Sequence, residues 1–210
     1  MKIINTYHGS WLSNCYVLLS SDSQGKTHAA VVDPSSPTDD ILTLLDSHGA
    51  TLDLIIMTHG HFDHIMSLDS LREKTGATVC IHKDDAEMLG DGKKNAYSFF
   101  FGTSFEQKEA DKLLSDGDMI NIGDEALKVI HLPGHSKGSI ALLGDDFIIT
   151  GDTIFSEGFG RYDLHGGDPM ILKKSLNSLK SLDGSLTLYA GHGESSKLGA
   201  ALRAISYFLN

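Results

Sequence analysis

The residues Thr-His-Gly-His-Phe-Asp-His at 58–64 set the strongest constraint on what this chain can fold into. They follow directly on residues 53–57, a short apolar run that suits a strand buried on both faces. Three imidazoles and a carboxylate between His59 and His64 serve no packing purpose, because such groups crowded together lose solvation and repel unless a cation gathers them. In a loop at the C-terminal end of a strand, His59 and His61 can both point at one ion. Asp63 and His64 are adjacent and would point the other way, at a second ion about 3.5–4 Å from the first.

Three later segments share this grammar. His135 closes His-Leu-Pro-Gly-His (131–135), Asp152 sits in Thr-Gly-Asp-Thr (150–153), and His192 sits in Ala-Gly-His-Gly (190–193). Each follows a predicted strand and has glycine beside it, at a strand end where loops emerge and backbone can approach a site closely.

The intervening pattern predicts how these segments are carried. Residues 14–20 and 28–33 read as strands joined by the polar turn Ser21–Lys26, and Pro34 and Pro37 then break the chain. Ile41, Leu44, Leu45 and His48 share a helical face that Gly49 stops; Ile65, Leu68 and Leu71 mark a second helix ending at Gly76. Residues 77–82 read as a strand and 83–89 as a short helix. After the turn at Asp116-Gly117-Asp118 come strands at 126–132, 139–143 and 147–151, the last two joined by Gly144-Asp145-Asp146. Asp168 is placed to cap a helix with Pro169 at its first position and an apolar stripe of Leu172, Leu176 and Leu179. Residues 186–190 form a final strand, and Leu198, Leu202, Ile205 and Leu209 stripe a terminal helix. This order predicts an α/β chain in one domain over 1–210, with two mixed sheets packed face to face and helices outside. Phe99, Phe100 and Phe101 show no clear period. They either pack beneath the long connection 83–112 or form an apolar wall over the site.

Composition narrows the partners. Twenty-eight acidic residues against 17 basic ones give a formal net charge of -11, which argues against nucleic acid or an anionic membrane as the main partner and leaves a small-molecule substrate, even an anionic one, open. No stretch approaches the 18 apolar residues of a membrane span. Cys15 and Cys80 are too few for a disulfide framework and form no C-x-x-C pair, so reduced thiols in a cytoplasmic protein are expected. The N-terminus has no signal-peptide pattern, which gives the same expectation.

Taken together, His59-x-His61-x-Asp63-His64 followed by His135, Asp152 and His192 resembles the metallo-β-lactamase superfamily over almost the whole chain. The resemblance implies a four-layer αββα sandwich. It assigns His59, His61 and His135 to one metal and Asp63, His64 and His192 to a second, with Asp152 bridging both. Zinc is the expected metal, with iron or manganese as alternatives. Gly151-Asp152-Thr153-Ile154-Phe155 and Gly158-Phe159-Gly160-Arg161 are similar to segments of the glyoxalase II group, the hydroxyacylglutathione hydrolases; Gly191-His192-Gly193 with Leu198-Gly199 resembles its short bacterial members. That implies hydrolysis of a thioester by a metal-bound hydroxide, with Asp63 orienting the nucleophile and Arg161 holding the thiol carrier. Tyr162 is similar in place to a site tyrosine of the lactonase branch.

Other readings stay open at this point. Gly158-x-Gly160-Arg161-x-Asp163 is also found in persulfide dioxygenases, where His59, His135 and Asp152 would hold a single iron. A lactonase, another ester hydrolase or a non-catalytic metal-binding protein would keep the same ligands. Arg161 has a second reading, as an ion-pair partner of Asp163 or Asp168. His8, His28, His48, His82, His131 and His165 are expected to be structural or solvated, with His131 a candidate to support His135. Lys93 and Lys94 read as a solvated face.

Overall fold

The computed structural model describes residues 1–6 and 13–209; His8 lies outside the described residues. The first half supplies strands β1 (Lys2–Asn5), β2 (Tyr16–Ser21), β3 (Thr27–Val32), β4 (Ala50–Ile56), β5 (Thr78–His82) and β6 (Lys112–Leu114), which form one sheet in chain order. The second half supplies β7 (Met119–Ile122), β8 (Glu125–His131), β9 (Ile140–Leu143) and β10 (Phe147–Gly151). It continues with a two-stranded ribbon of β11 (Ile154–Phe155) and β12 (Gly158–Phe159), then β13 (Thr187–Ala190) and β14 (Ser196–Lys197). The second sheet has the order β14-β13-β10-β9-β8-β7. Helices α1 (Thr38–Ser47), α2 (Leu68–Thr75), α3 (Ala86–Leu89), α4 (Tyr97–Phe101), α5 (Pro169–Ser178), α6 (Leu198–Ala204) and α7 (Ser206–Leu209) complete the chain.

The two-residue period of the strands sorts side chains into layers. Cys15, Val17, Leu19, Ala29 and Val31 point outward onto Ile41 and Leu45 of α1 and Leu68 and Leu71 of α2. Their neighbours Tyr16, Leu18, Ala30 and Val32 point inward and meet Leu127, Val129, Ile140, Leu142, Phe147 and Ile149 of the second sheet. On the far side, Ala141 and Ile148 pack against Leu172 and Leu176 of α5, Leu198 and Ala201 of α6, and Ile205 just beyond α6. Three apolar interfaces thus separate four layers, the αββα sandwich anticipated from the sequence.

Local signals hold where the chemistry is strong. Gly49 and Gly76 adopt positive φ at the ends of α1 and α2. The Asp168 carboxylate accepts hydrogen bonds from the amides of Met170 and Ile171, capping α5. Other expectations are corrected. The predicted terminal helix is two helices, with Ile205 between them, so its apolar stripe turns a corner. The helix expected at 83–89 shrinks to Ala86–Leu89. The strands β1, β6, β7, β11, β12 and β14 were not anticipated; each is two to four residues long, too short to show a period.

Direction of travel is what positions the site. β3, β4 and β5 are mutually parallel. β9 is antiparallel to both β8 and β10, and β13 is parallel to β10, so β8, β10 and β13 all run the same way. The loops leaving β4, β8, β10 and β13 emerge together, and the Ile140 amide donates to the Thr58 carbonyl (2.9 Å) to tie the two sheets at that edge.

Ile149 is fully buried in the middle layer. Ile149→Ala should therefore lower unfolding free energy by about 2–5 kcal/mol with an unchanged denaturant slope. A loss below about 0.5 kcal/mol in a urea titration would show that the two sheets do not share a packed interface.

Candidate metal centre

All seven residues marked by the sequence converge at this edge. His135 Nε2 lies 2.8 Å from His61 Nδ1 and 3.1 Å from His59 Nε2. Beside this group, Asp63 Oδ2 lies 3.2 Å from His192 Nε2 and 3.8 Å from His64 Nε2. Asp152 stands between them. Its Oδ1 is 3.3 Å from His64 Nε2, and its Oδ2 is 3.5 Å from His192 Nε2 and 3.7 Å from His135 Nε2. His59, His61, His64 and His135 are buried, while His192 is partly open to solvent.

Outer partners fix which nitrogen of each ring faces inward, as inferred from the hydrogen-bond network. His64 Nδ1–H donates to Asp33 Oδ2 (2.9 Å). His59 Nδ1–H donates to the Thr58 hydroxyl (3.1 Å), which itself donates to Asp33 Oδ2 (2.7 Å). His135 Nδ1–H donates to the Arg161 carbonyl (2.7 Å). The Nε2 lone pairs of His59 and His135 consequently face each other across 3.1 Å with their protons already engaged elsewhere. His64 Nε2 and Asp152 Oδ1 are buried with no hydrogen-bond partner. Two opposed lone pairs and an orphaned carboxylate oxygen form a stable arrangement only around a cation.

Charge tells the same story. Burial holds His59 well below the ordinary histidine range and His61 down to about 3, and the neighbouring imidazoles add to both shifts. Burial also works against charge at His64, but Asp152, Asp63 and Asp33 together raise it well above its usual range. Asp63 and Asp152 are pulled down by His64 and His192 in spite of burial. His59 and His61 are thus held as neutral rings and Asp63 and Asp152 as ionised carboxylates, the protonation states that metal ligands require, while His64 carries a proton that a bound cation would displace.

Several supporting residues were not anticipated. Asp33 is buried at the end of β3 and accepts from the Thr58 amide (2.7 Å) as well as from the Thr58 hydroxyl and His64. It holds this position at φ 53°, a left-handed conformation that Asp tolerates better than most residues. The Asp33-Pro34 pair after a strand was the available signal. Asp85 is buried and accepts from the Ser136 hydroxyl (2.6 Å) and the amides of Gly138 (2.6 Å) and Gly60 (3.2 Å), binding the His59–His64 loop to the His135 loop. Gly151 has φ 47° against Thr58, and a Cβ at Gly191 would collide with Asp152 Oδ1, so both glycines are demanded by close approach.

Beside the donors lies a pocket of 220 Å³, lined also by Phe62, Ala96, Phe100, Phe101, Arg161 and Leu164. Phe99, Phe100 and Phe101 are 70%, 45% and 54% exposed, so they do not pack beneath the connection; Phe100 and Phe101 form the apolar wall, and Phe99 does not line the pocket. Arg161 lines the pocket while its guanidinium pairs with Asp163 (2.7 and 2.8 Å) and lies 5.7 Å over the Phe100 ring. Asp168 is engaged in capping α5. Tyr162 does not line the pocket; its ring lies against Phe208 (6.5 Å). His131 does not support His135: it donates to the Lys137 carbonyl and stacks on His82 at 4.1 Å. His28 pairs with Asp22 and Asp53, His48 bonds within α1, and His165 lies 3.4 Å from Glu87. Lys94 pairs with Glu87 at the surface.

Known proteins share this fold. The family model of the metallo-β-lactamase superfamily matches residues 8–192. The chain belongs to the metallo-β-lactamase superfamily. A probable metallo-hydrolase of Bacillus subtilis, YqgX, is 34% identical over 184 residues, covering 86% of this chain and 85% of its own. Hydroxyacylglutathione hydrolase 1 of Vibrio vulnificus is 30% identical over 192 residues, covering 91% and 67%. Among solved structures, the B3 metallo-β-lactamase BLEG-1 superposes with a TM-score of 0.89 at 28% identity over the whole of both chains. TTHA1623, solved in a di-iron-bound form, gives 0.80 at 29% identity over 96% and 98%. The fold and the donor cluster together make this a divalent-metal site.

Asp33→Asn should weaken metal retention by roughly 10–100-fold, since an amide nitrogen cannot accept from both Thr58 and His64. Competition with a fluorescent chelator reads this directly, and retention equal to the parent would remove Asp33 from the centre. Asp152→Ala should abolish loading of both positions, a loss visible as metal content per chain by elemental analysis.

Proposed function

We propose that this chain is a dinuclear metal-dependent thioester hydrolase, acting on an S-acyl thiol of the kind that hydroxyacylglutathione represents. His59, His61 and His135 would hold one ion, Asp63, His64 and His192 the other, and Asp152 both. Bound there, two divalent ions, zinc with iron or manganese as alternatives, would supply Lewis acidity and a water acidic enough to attack at neutral pH.

The geometry supports the following part for the protein itself. Asp63 is the more open of the two carboxylates and accepts a hydrogen bond from the attacking water, setting its direction. The Arg161 carbonyl fixes the His135 ring, and the Arg161 side chain at the pocket mouth meets the thiol carrier. Phe62, Phe100 and Phe101 exclude bulk water from one side of the scissile bond.

The nature of the lining carries the choice of thioester. Among the described residues around the pocket there is no Lys, Cys or Tyr, and the imidazoles there belong to the donor set. The leaving group must depart without a dedicated proton donor. A thiolate does so readily, because a thiol ionises near pH 8.5; an amine or alkoxide does not. The similarity to a hydroxyacylglutathione hydrolase supports the same reading. Two free, buried cysteines and an acidic charge balance fit a cytoplasmic enzyme with a small-molecule substrate. Among the described residues no helix is long and apolar enough to cross a membrane.

Elemental analysis of protein purified without chelator should give close to two ions per chain, and that protein should turn over acyl-thioesters faster than lactones or β-lactams. One iron per chain, with oxygen uptake on a persulfide, would overturn the proposal in favour of an oxygenase. Faster turnover of lactones would keep the metals and overturn the substrate class.

A further inference from the structure

Helix α4 is made of Tyr97-Ser98-Phe99-Phe100-Phe101, and none of its side chains is buried. Four aromatic rings in one five-residue helix would ordinarily sit in a core. Here three phenylalanines stand 45% to 70% exposed, and two of them, Phe100 and Phe101, line the pocket beside the metal donors. A contiguous exposed apolar surface of this kind marks a ligand-binding or interaction site.

The helix is held in register with the metal-binding loop. The Phe62 amide, between His61 and Asp63, donates to the Asn95 carbonyl (3.0 Å). Buried Asn95 also donates through its side chain to the Phe105 carbonyl (2.8 Å) and accepts from the Tyr97 amide (3.0 Å). Ala96, which lines the pocket, sits at φ 69°, an unfavourable conformation for alanine that places α4 where it is. The Phe62 ring then contacts Tyr97, Phe100 and Phe101 with centroids at 5.5, 5.6 and 5.5 Å. A ring inside the ligand motif is thus the base of the aromatic wall.

Charge on this face is already balanced. Arg161 is the one basic side chain among the described pocket residues, and Asp163 holds it in a two-bond pair. A polar or anionic acyl group entering here would lose hydration against phenyl rings without gaining a free cation.

We propose that the acyl group accommodated beside the metal centre is apolar, an aryl or unbranched alkyl chain packed on Phe62, Phe100 and Phe101, and not a short hydroxyacyl group. The carrier thiol extends past Arg161 to solvent. This rests on the thioester reading, which it narrows.

The test uses metal-loaded protein and two readouts. The first is kcat/KM for thioesters of one small neutral thiol with acetyl, lactoyl, hexanoyl and phenylacetyl groups. Each fully buried methylene is worth about fourfold, so a half-open wall should favour hexanoyl and phenylacetyl over acetyl and lactoyl by about tenfold or more. The second is calorimetric binding of the free acids, with hexanoate expected at least tenfold tighter than acetate or lactate and with a negative heat-capacity change. In the double variant Phe100→Ala, Phe101→Ala the hexanoyl-to-acetyl ratio should fall towards one in both readouts, with metal content per chain confirming an intact centre. Equal affinity for hexanoate and acetate, or a lactoyl preference, overturns the inference while leaving the hydrolase standing. If no thioester turns over but hexanoate still binds tighter and the double variant loses that preference, the apolar pocket stands and the hydrolase reading falls.

Discussion

One buried carboxylate organises the centre. Asp33 takes the Thr58 amide and hydroxyl and the His64 ring in three hydrogen bonds of 2.7–2.9 Å, so the end of β3 sets the path of the chain leaving β4. From that point the alternation His59, His61 turns inward, and His64 turns back. Without Asp33, Thr58 could not orient His59, and His64 would face Asp63 and Asp152 with no fixed tautomer. The backbone at Asp33 is left-handed, and a carboxylate in a sealed site is costly unless fully bonded. Three charge-assisted bonds offset that cost.

The sandwich makes this possible by supplying rigid, parallel strand ends from two sheets. Ligands from β4 belong to one sheet, and those after β8, β10 and β13 belong to the other. The centre therefore spans the interface between the sheets, and holding it closed requires direct ties across that interface. The Ile140 amide on the Thr58 carbonyl is one, and the Asn14 amide and side chain on Gly191, Ala190 and Gly193 carbonyls form another. Buried Asp85 adds a third by gripping Gly60 and Gly138. The opposed imidazoles of His59, His61 and His135 repel one another until a cation is present, so these ties also preorganise that part of the site against its own electrostatics. A ligand that binds only the folded chain then adds to its stability by mass action.

What the sequence disclosed follows from how local each signal is. The seven donors were legible because each is a polar residue in a glycine-containing loop after a strand, a context in which packing offers no rival explanation. The layers were legible because Tyr16, Val17, Leu18 and Leu19 alternate faces over a full strand. Asp33 was not, because at the end of an apolar run it reads as the residue where a strand stops; its role depends on Thr58 and His64, 25 and 31 positions away. Arg161 was half legible. Its ion pair with Asp163 is local in sequence, whereas its carbonyl bond to His135 is not. The break at Ile205 was hidden because an apolar stripe continues through it.

The aromatic helix was the least legible element, and the reason bears on what it does. Phe99, Phe100 and Phe101 are consecutive, so they point in different directions from any helix and satisfy neither a helical nor a strand period. A segment selected for packing would show one. These residues are instead placed by Asn95 and by a left-handed Ala96, against a single ring within the ligand motif. Core layers and strand ends hold the metal donors; the segment from Asp91 to Phe105 adds a surface that contributes little to the core and lies beside those donors. Apolar area left exposed there reduces the stability that burial would have given, and that loss is balanced only when something apolar covers it. On the proposed reading, the chemistry of the site is carried by the rigid frame, and its choice of substrate by a short loop-borne helix that the frame holds in register.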